Sequence, residues 1–335
     1  MSTNKVTYEQ LSRASGISLS TISRVVNKNP NVKDSTRRKV IRAMAEAGMD
    51  TASLEQYPQS ASQILVFDVP SMRNIFYSPI MTSAKMTASK YGYTMLMNEE
   101  MINDATIDRF LLLLRQSKAA GVVSASPLTP EHQARISDVC PLVICCEGGT
   151  GEDIVPYVAI DDVEVAMKAI GHLVSIGCKR IAMINGPAPF KYARDRYKGY
   201  CKALEAAGYE LDSNLLGAVN EDMDYDMAKA VALGMLNSPE RPDGFFCISD
   251  VIAAAAVRAS KELGLKVPGD VAVVGVDDVI ISTAMNPSIT TVRQPCAQMG
   301  ALSVEMLVKL IRGNGHVNPM VLGTELVIRE STTLL

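Results

Sequence analysis

From Ser62 onward, short apolar runs alternate with amphipathic helical stretches, and they do so in two series. The first reads ILVFD, a helix near 79 to 91, YTMLM, a helix near 104 to 117, GVVS and LVICC. The second reads RIAMI, a helix near 193 to 207, LLGAV, a helix near 226 to 236, GFFCIS, a helix near 252 to 263, and VAVVGV. Uninterrupted apolar runs of this length suit strands covered on both faces, and the intervening helices are the crossovers that parallel strands require. The pattern predicts an α/β body over 62–335 with two similar lobes, each a doubly wound parallel sheet. The expected division is a first lobe of 62–161 with 293–321 and a second of 162–292 with 322–335.

Ligands of open parallel sheets collect beyond the carboxyl ends of the strands, so the residues that follow each run should face a cleft between the lobes. Those residues are Asp68 and Ser71, Ser124 and Ser126, Cys146 and Glu147, Asn185, Ser249 and Asp250, and Asp277 and Asp278. Hydroxyls and carboxylates suit a polyol or a sugar. Each alone is equally explained by the tendency of Asp, Ser and Asn to close strands and cap helices, so only their convergence argues for a ligand.

The first 49 residues follow a different rule. Thr7 with Gln10 forms a capping box ahead of Tyr8, Leu11 and Ala14 at helical spacing, and Ser15-Gly16 stops that helix. Ser18 caps a second helix whose apolar face is Ile22, Val25 and Val26, leaving Leu19, Ser20, Thr21, Ser23 and Arg24 outside or near its start. A third runs from about Asp34 to Ala47, with Val40, Ile41, Met44 and Ala47 inward and Arg37, Arg38, Lys39 and Arg42 largely outward. Three short helices with a tight turn between the first two predict a helix-turn-helix module, expected to bind double-stranded DNA.

Short side chains at the start of the second helix let its backbone approach the major groove, and the guanidinium of Arg24 can pair with O6 and N7 of guanine. Ser18, Thr21 and Ser23 suit phosphates, which orient the module without reading sequence. A solvated basic face on a small helical unit is the plainer explanation, and charge weighs against it. This segment holds nine Lys and Arg against three Asp and Glu, whereas the whole chain has a formal net charge of -3. A basic head on an acidic body implies that the head alone meets a polyanion.

Gly16 to Asn27 resembles the DNA-binding head of the lactose-repressor (LacI) family, whose pattern is G-[VI]-S followed by T-[VI]-S-R-V-[VL]-N. Val32, Thr36, Arg37 and Val40 match that family's third helix. The resemblance implies that Leu19, Ser20 and Arg24 read bases. With Thr7, Ser18, Thr21, Ser23 and Asn27 they form the candidate DNA contacts. In the body, NIFYSPI at 74–80, GHLVSIGCKRIAMINGP at 171–187, RYKG at 196–199, the run from SDVIAAAA to GVDD at 249–278, and SITTVRQP at 288–295 resemble family segments in the family's order.

The resemblance implies effector contacts at Arg196, Asp277, Gln294 and Phe76. With the strand ends, the candidate effector set is Asp68, Ser71, Phe76, Ser124, Cys146, Arg196, Met223, Ser249, Asp277 and Gln294. Three of these depart from the family: Met223 replaces a stacking ring, Ser249 an Asn, and Cys146 a frequent Asp. Such changes alter which ligand fits, because a buried polar group left unpaired discriminates strongly. The stretch GMDTASLEQYPQSAS at 48–62 also departs from the family's hinge-helix pattern Y-x-P-N-x-x-A-R-x-L. A linker of small polar residues over 50–61 is the expectation, with Leu54 as a minor-groove wedge in a shifted register as the alternative.

The functional expectation is a homodimeric regulator, a repressor by the family's pattern, acting on genes of carbohydrate uptake or catabolism. A sugar, sugar acid or polyol in the cleft would control it. A tetramer is the larger alternative, although STTLL at the C-terminus is too short for a leucine-zipper helix. A periplasmic-type sugar-binding protein is the second reading; MSTNKVTYEQ, with no apolar core, points instead to a cytoplasmic protein. No apolar run approaches a membrane span. No catalytic residue, cofactor or metal is expected: His132, His172 and His316 lie in unrelated contexts, and no nucleophile elbow or phosphate-binding glycine loop occurs. The seven cysteines are an odd set without CxxC spacing, read as reduced thiols.

Overall fold

The computed structural model describes residues 7–27, 32, 34–51, 54, 63–313 and 317–333. It divides into two compact units, Met1–Gln63 and Ile64–Leu335.

The first unit is built on α1 (Tyr8–Ser15), α2 (Leu19–Val26) and α3 (Asp34–Glu46). Thr7 Oγ1 accepts the Gln10 amide at 3.3 Å and Gln10 Oε1 accepts the Thr7 amide at 2.9 Å, closing the expected box. The chain leaves α1 through Gly16 at φ 70°, a left-handed turn that glycine enters without steric cost. Leu11, Ile22, Val25, Val40, Ile41 and Met44 interlock as the core. Arg37 departs from its expected outward position and is buried, as a long apolar stem permits. Leu54 is buried with the same core; most of the 50–61 linker lies outside the described residues.

In the second unit, one sheet collects β1 (Ile64–Val69), β2 (Thr94–Glu99), β3 (Gly121–Ser124), β4 (Leu142–Cys145), β5 (Tyr157–Ile160) and β11 (Met320–Leu322), in the order β11-β5-β4-β3-β1-β2. The other collects β6 (Ile181–Asn185), β7 (Leu216–Ala218), β8 (Gly244–Cys247), β9 (Ala272–Asp277), β10 (Thr290–Arg293) and β12 (Glu325–Val327), in the order β12-β10-β9-β8-β6-β7. Among the described residues every pairing is parallel except that of β12 with β10.

Alternation along a strand sends successive side chains to opposite faces, and β1 shows the result. Leu65, Phe67 and Val69 join the core formed with α4 (Tyr77–Lys90). Val66 joins a separate core with α5 (Ile107–Ser117) and α6 (Pro130–Ser137). On the second sheet, α7 (Asp162–Ser175) packs beside α8 (Lys191–Ala206), and α9 (Tyr225–Leu236) beside α10 (Asp250–Glu262). The short α11 (Ile280–Ala284) follows β9. Helix α12 (Cys296–Ile311) returns to the first lobe and lies against α4 so closely that a Cβ on Gly300 would sit 2.2 Å from the Ile80 carbonyl oxygen. The chain passes between the lobes from β5 to α7, from β10 to α12 and from β11 to β12.

Candidate functional site

The strand order reverses beside β1 in the first sheet and beside β6 in the second, and the carboxyl ends of the strands there open on one cavity. Its side chains close in on one another and leave about 30 Å³ between them. From the first lobe come Asn74, Phe76 and Tyr77 after β1, Cys146 and Glu147 after β4, and Ile160 at the end of β5. The second lobe supplies Asp162, Tyr192, Arg196, Met223, Ile248, Ser249 and Asp277, and Gln294 follows β10.

Of the candidate effector residues, Phe76, Cys146, Arg196, Met223, Ser249, Asp277 and Gln294 are brought together here. Asp68, Ser71 and Ser124 are not among the lining residues, and each has a structural partner instead. Asp68 lies within β1 and turns toward the neighbouring strands, accepting from Ser124 Oγ at 2.8 Å, Ser126 Oγ at 2.7 Å and Asn98 Nδ2 at 2.7 Å. Burial pushes its carboxyl up to about 6 against those bonds. Ser71 donates to Asp222 Oδ1 at 2.6 Å, tying the loop after β1 to the one before α9.

Arg196 is buried in the cavity's wall. Its Nε donates to Asp162 Oδ1 at 3.0 Å and its Nη1 to the Ile248 carbonyl at 2.6 Å, while its guanidinium carbon lies 5.3 Å from the centre of the Tyr192 ring. Burial disfavours this cation, but Asp162 and Asp277 outweigh that cost and raise its affinity for the proton. Lys191 Nζ holds the other Asp162 oxygen at 3.0 Å. Asp277 accepts from Gln294 Nε2 at 2.7 Å, and burial together with the nearby Asp250 lifts its carboxyl well above the usual range. Glu147 reaches across from the first lobe to accept the Lys191 amide at 2.6 Å, and burial raises it to about 7.

Sequence reasoning missed Asn74, Tyr77, Ile160, Asp162, Tyr192 and Ile248 as cavity residues, and it flagged Glu147 only as a strand-end residue. The signal for Asp162 was the run YVAIDD, a short apolar strand followed by acids. Tyr77 and Tyr192, with Phe76, give the cavity aromatic surface despite Met223; the Phe76 and Tyr77 rings meet edge-on at 5.2 Å.

In the first unit, Leu19, Ser20, Ser23 and Arg24 are exposed and Thr21 is half-buried. Ser18 Oγ accepts the Thr21 amide at 3.2 Å, so it acts first as a cap. Asn27 Nδ2 donates to Ser23 Oγ at 3.3 Å, and Thr7 is occupied by its capping box. The exposed set therefore forms one surface at the start of α2, with Arg24 one turn further along.

A profile described as "Bacterial regulatory proteins, lacI family" matches residues 10–50, and one described as "Periplasmic binding protein-like domain" matches residues 170–332. The ribose operon repressor of Halalkalibacterium halodurans is 30% identical over 332 residues, covering 97% of each chain. The HTH-type transcriptional regulator DegA of Bacillus subtilis is 28% identical, covering 99% of each. Among solved structures, a complex of the transcriptional regulator CelR with cellobiose is similar at a TM-score of 0.74 and 29% identity, over 98% of this chain and 100% of that one. The lac repressor dimer bound to operator and the anti-inducer ONPF is similar at 0.76 and 25%, over 98% and 99%.

Proposed function

This chain belongs to the LacI family of DNA-binding transcriptional regulators, and we propose that it is a cytoplasmic, homodimeric repressor of carbohydrate uptake or catabolism genes whose effector is a small hydroxylated molecule held between the two lobes. Its relatives are regulators and not enzymes, and so is this chain. A sugar-binding protein without a DNA role is disfavoured by the lacI-family match over residues 10–50.

The observation that carries the effector reading is the buried Arg196–Asp162 pair in a cavity that residues of both lobes line. A ligand touching both lobes binds one lobe arrangement better than another, which is what a regulatory equilibrium requires. The cellobiose and ribose names of two relatives support a carbohydrate, and the operator-bound lac repressor dimer supports a dimer on DNA. The exposed start of α2, with Leu19, Ser20 and Arg24, is the base-reading surface.

The test screens hydroxylated small molecules by thermal shift, then titrates each hit into the protein bound to an operator selected from random DNA. Binding to the folded state raises the melting temperature by mass action. A hit that also changes operator affinity, and does neither with Arg196→Ala, is the expected result. Hits that leave operator affinity unchanged would remove the regulatory claim, and the absence of any hit would remove the effector claim.

A further inference from the structure

The charges of the cavity are unequally partnered. Asp162 has both oxygens engaged, by Arg196 Nε and by Lys191 Nζ, each at 3.0 Å. Lys191 also meets Asp195 at 3.1 Å, and Arg196 directs Nη1 at the Ile248 carbonyl. Arg196, which lines the cavity, and Lys191 beside it are thus already committed to Asp162. Glu147 and Asp277 lack such a partner: Glu147 Oε2 accepts only the Lys191 backbone amide and Asp277 Oδ1 only the Gln294 amide. Among the described residues, the second oxygen of each makes no hydrogen bond, although the two side chains are 4% and 6% exposed and both line the cavity.

We propose that the cleft selects a hydroxylated effector that carries a protonated amine, of the amino-sugar or amino-polyol class, over its acid and phosphate counterparts; this rests on the effector reading above. An ammonium group offers three donors and no acceptor, which fits an open carboxylate oxygen, while its hydroxyls suit the amide, hydroxyl and ring groups around it. An acid or phosphate offers no ammonium donor to those open oxygens, opposes the ionisation of Glu147 and Asp277, and finds a guanidinium already bound to Asp162.

The groups facing these acids agree. Glu147 feels burial first, then Asp162 against it and Lys191 and Arg194 for it; Asp277 feels burial, then Asp250, with Arg196 in opposition. Burial therefore strengthens the hold of both acids on a proton, and a cation placed beside them would oppose that shift. An ammonium ligand restores Glu147 to the carboxylate and releases its proton.

The test uses the full-length protein and calorimetric titration at pH 7 with matched sets in the gluco, galacto and manno series: the hexosamine, the neutral hexose, the hexonate and the hexose 6-phosphate. In a series that binds, the hexosamine should exceed the acid and the phosphate by about tenfold or more, the factor that 1.4 kcal/mol corresponds to. Its heat should differ between phosphate and Tris buffers by the signature of proton release. Glu147→Gln should lower the ratio of hexosamine to hexose affinity by about tenfold, with Asp277→Asn as the second variant should Glu147→Gln fail to fold. An acid or phosphate that binds more tightly than its amine, or an unchanged ratio in the folded variants, overturns the inference while leaving the effector reading standing. If no member of any series binds while the broader screen gives a hit, this inference falls alone; if the broader screen gives none either, the effector reading falls with it.

Discussion

Asp68 provides the sharpest test, because sequence placed it in the cleft and the structure gives it another task. Its carboxyl is wholly buried and rises from the usual 3.8 to about 6, mainly through burial. A folded-state value above the unfolded one means that the folded protein holds the proton more tightly. The associated stability is therefore complete below pH 3.8 and is lost as the pH rises to about 6. At roughly 1.4 kcal/mol per pH unit the full loss is about 3 kcal/mol, nearly all of it between pH 4 and pH 7.5. Asp68→Asn isolates this contribution. An amide nitrogen in place of Oδ2 can donate to Ser124 and Ser126, whose hydroxyls rotate to accept, and Oδ1 still accepts from Asn98. Urea unfolding of the body's transition in both proteins at several pH values gives the difference, in which all other titrating groups cancel. Relative to wild type, the variant should gain about 2 to 3 kcal/mol between pH 4 and pH 7.5. Parallel stability curves would refute the buried, high-pKa carboxyl. Loss of the effector response at unchanged stability would return Asp68 to the ligand site.

Four further outcomes are expected. Arg24→Ala should weaken binding to the selected operator by about 1 to 3 kcal/mol with little effect on random DNA; equal losses on both in a polarisation assay would reduce Arg24 to a phosphate contact. Arg196→Ala should lower the melting temperature as well as abolish effector binding, since Asp162 loses one of its two cations in a buried site; unchanged stability would contradict the observed pairing. Gly300→Ala should cost about 1 to 3 kcal/mol, because its Cβ would meet backbone rather than a movable side chain. Gly234→Ala in α9, where nothing lies within 4 Å, should be neutral or stabilising by denaturant titration.

The body was legible because a strand buried on both faces must be apolar at nearly every position, and VAVVGV or GFFCIS can hardly be anything else. Strand β5 escaped because YVAI follows a polar loop and opens on a half-buried Tyr157, and with it went Asp162, the centre of the cavity's ion pairs. The rule that ligands gather beyond strand ends named the right neighbourhood but not the direction of each side chain. Asp68 and Asp277 are both acids at the end of an apolar run. Both lie within their ladders, but Asp68 turns toward its neighbouring strands, whereas Asp277 has φ 111° and faces the cavity. Cys146 at φ 76° and Met223 at φ 56° line the same space. Left-handed backbone at residues other than glycine is costly and concentrates where a site must aim its side chains. Nothing in the identity of a Cys, a Met or an Asp announces it.

Glu147 joins the two halves of the functional account. Its Oε2 accepts the Lys191 amide, a bond from the first lobe to the second, alongside the Ser71 link to Asp222. An ionised carboxylate accepts more strongly than a neutral carboxyl, so a ligand that ionises Glu147 also tightens the bond that holds the lobes together. Affinity and lobe closure then share one proton, and each must respond to the other by the same free energy. Removing the charge at Glu147 should therefore weaken the effector's influence on operator binding by more than the loss of affinity alone explains, a difference read at saturating effector. An operator response at saturation equal to that of wild type would separate the two roles and leave Glu147 as a ligand contact only.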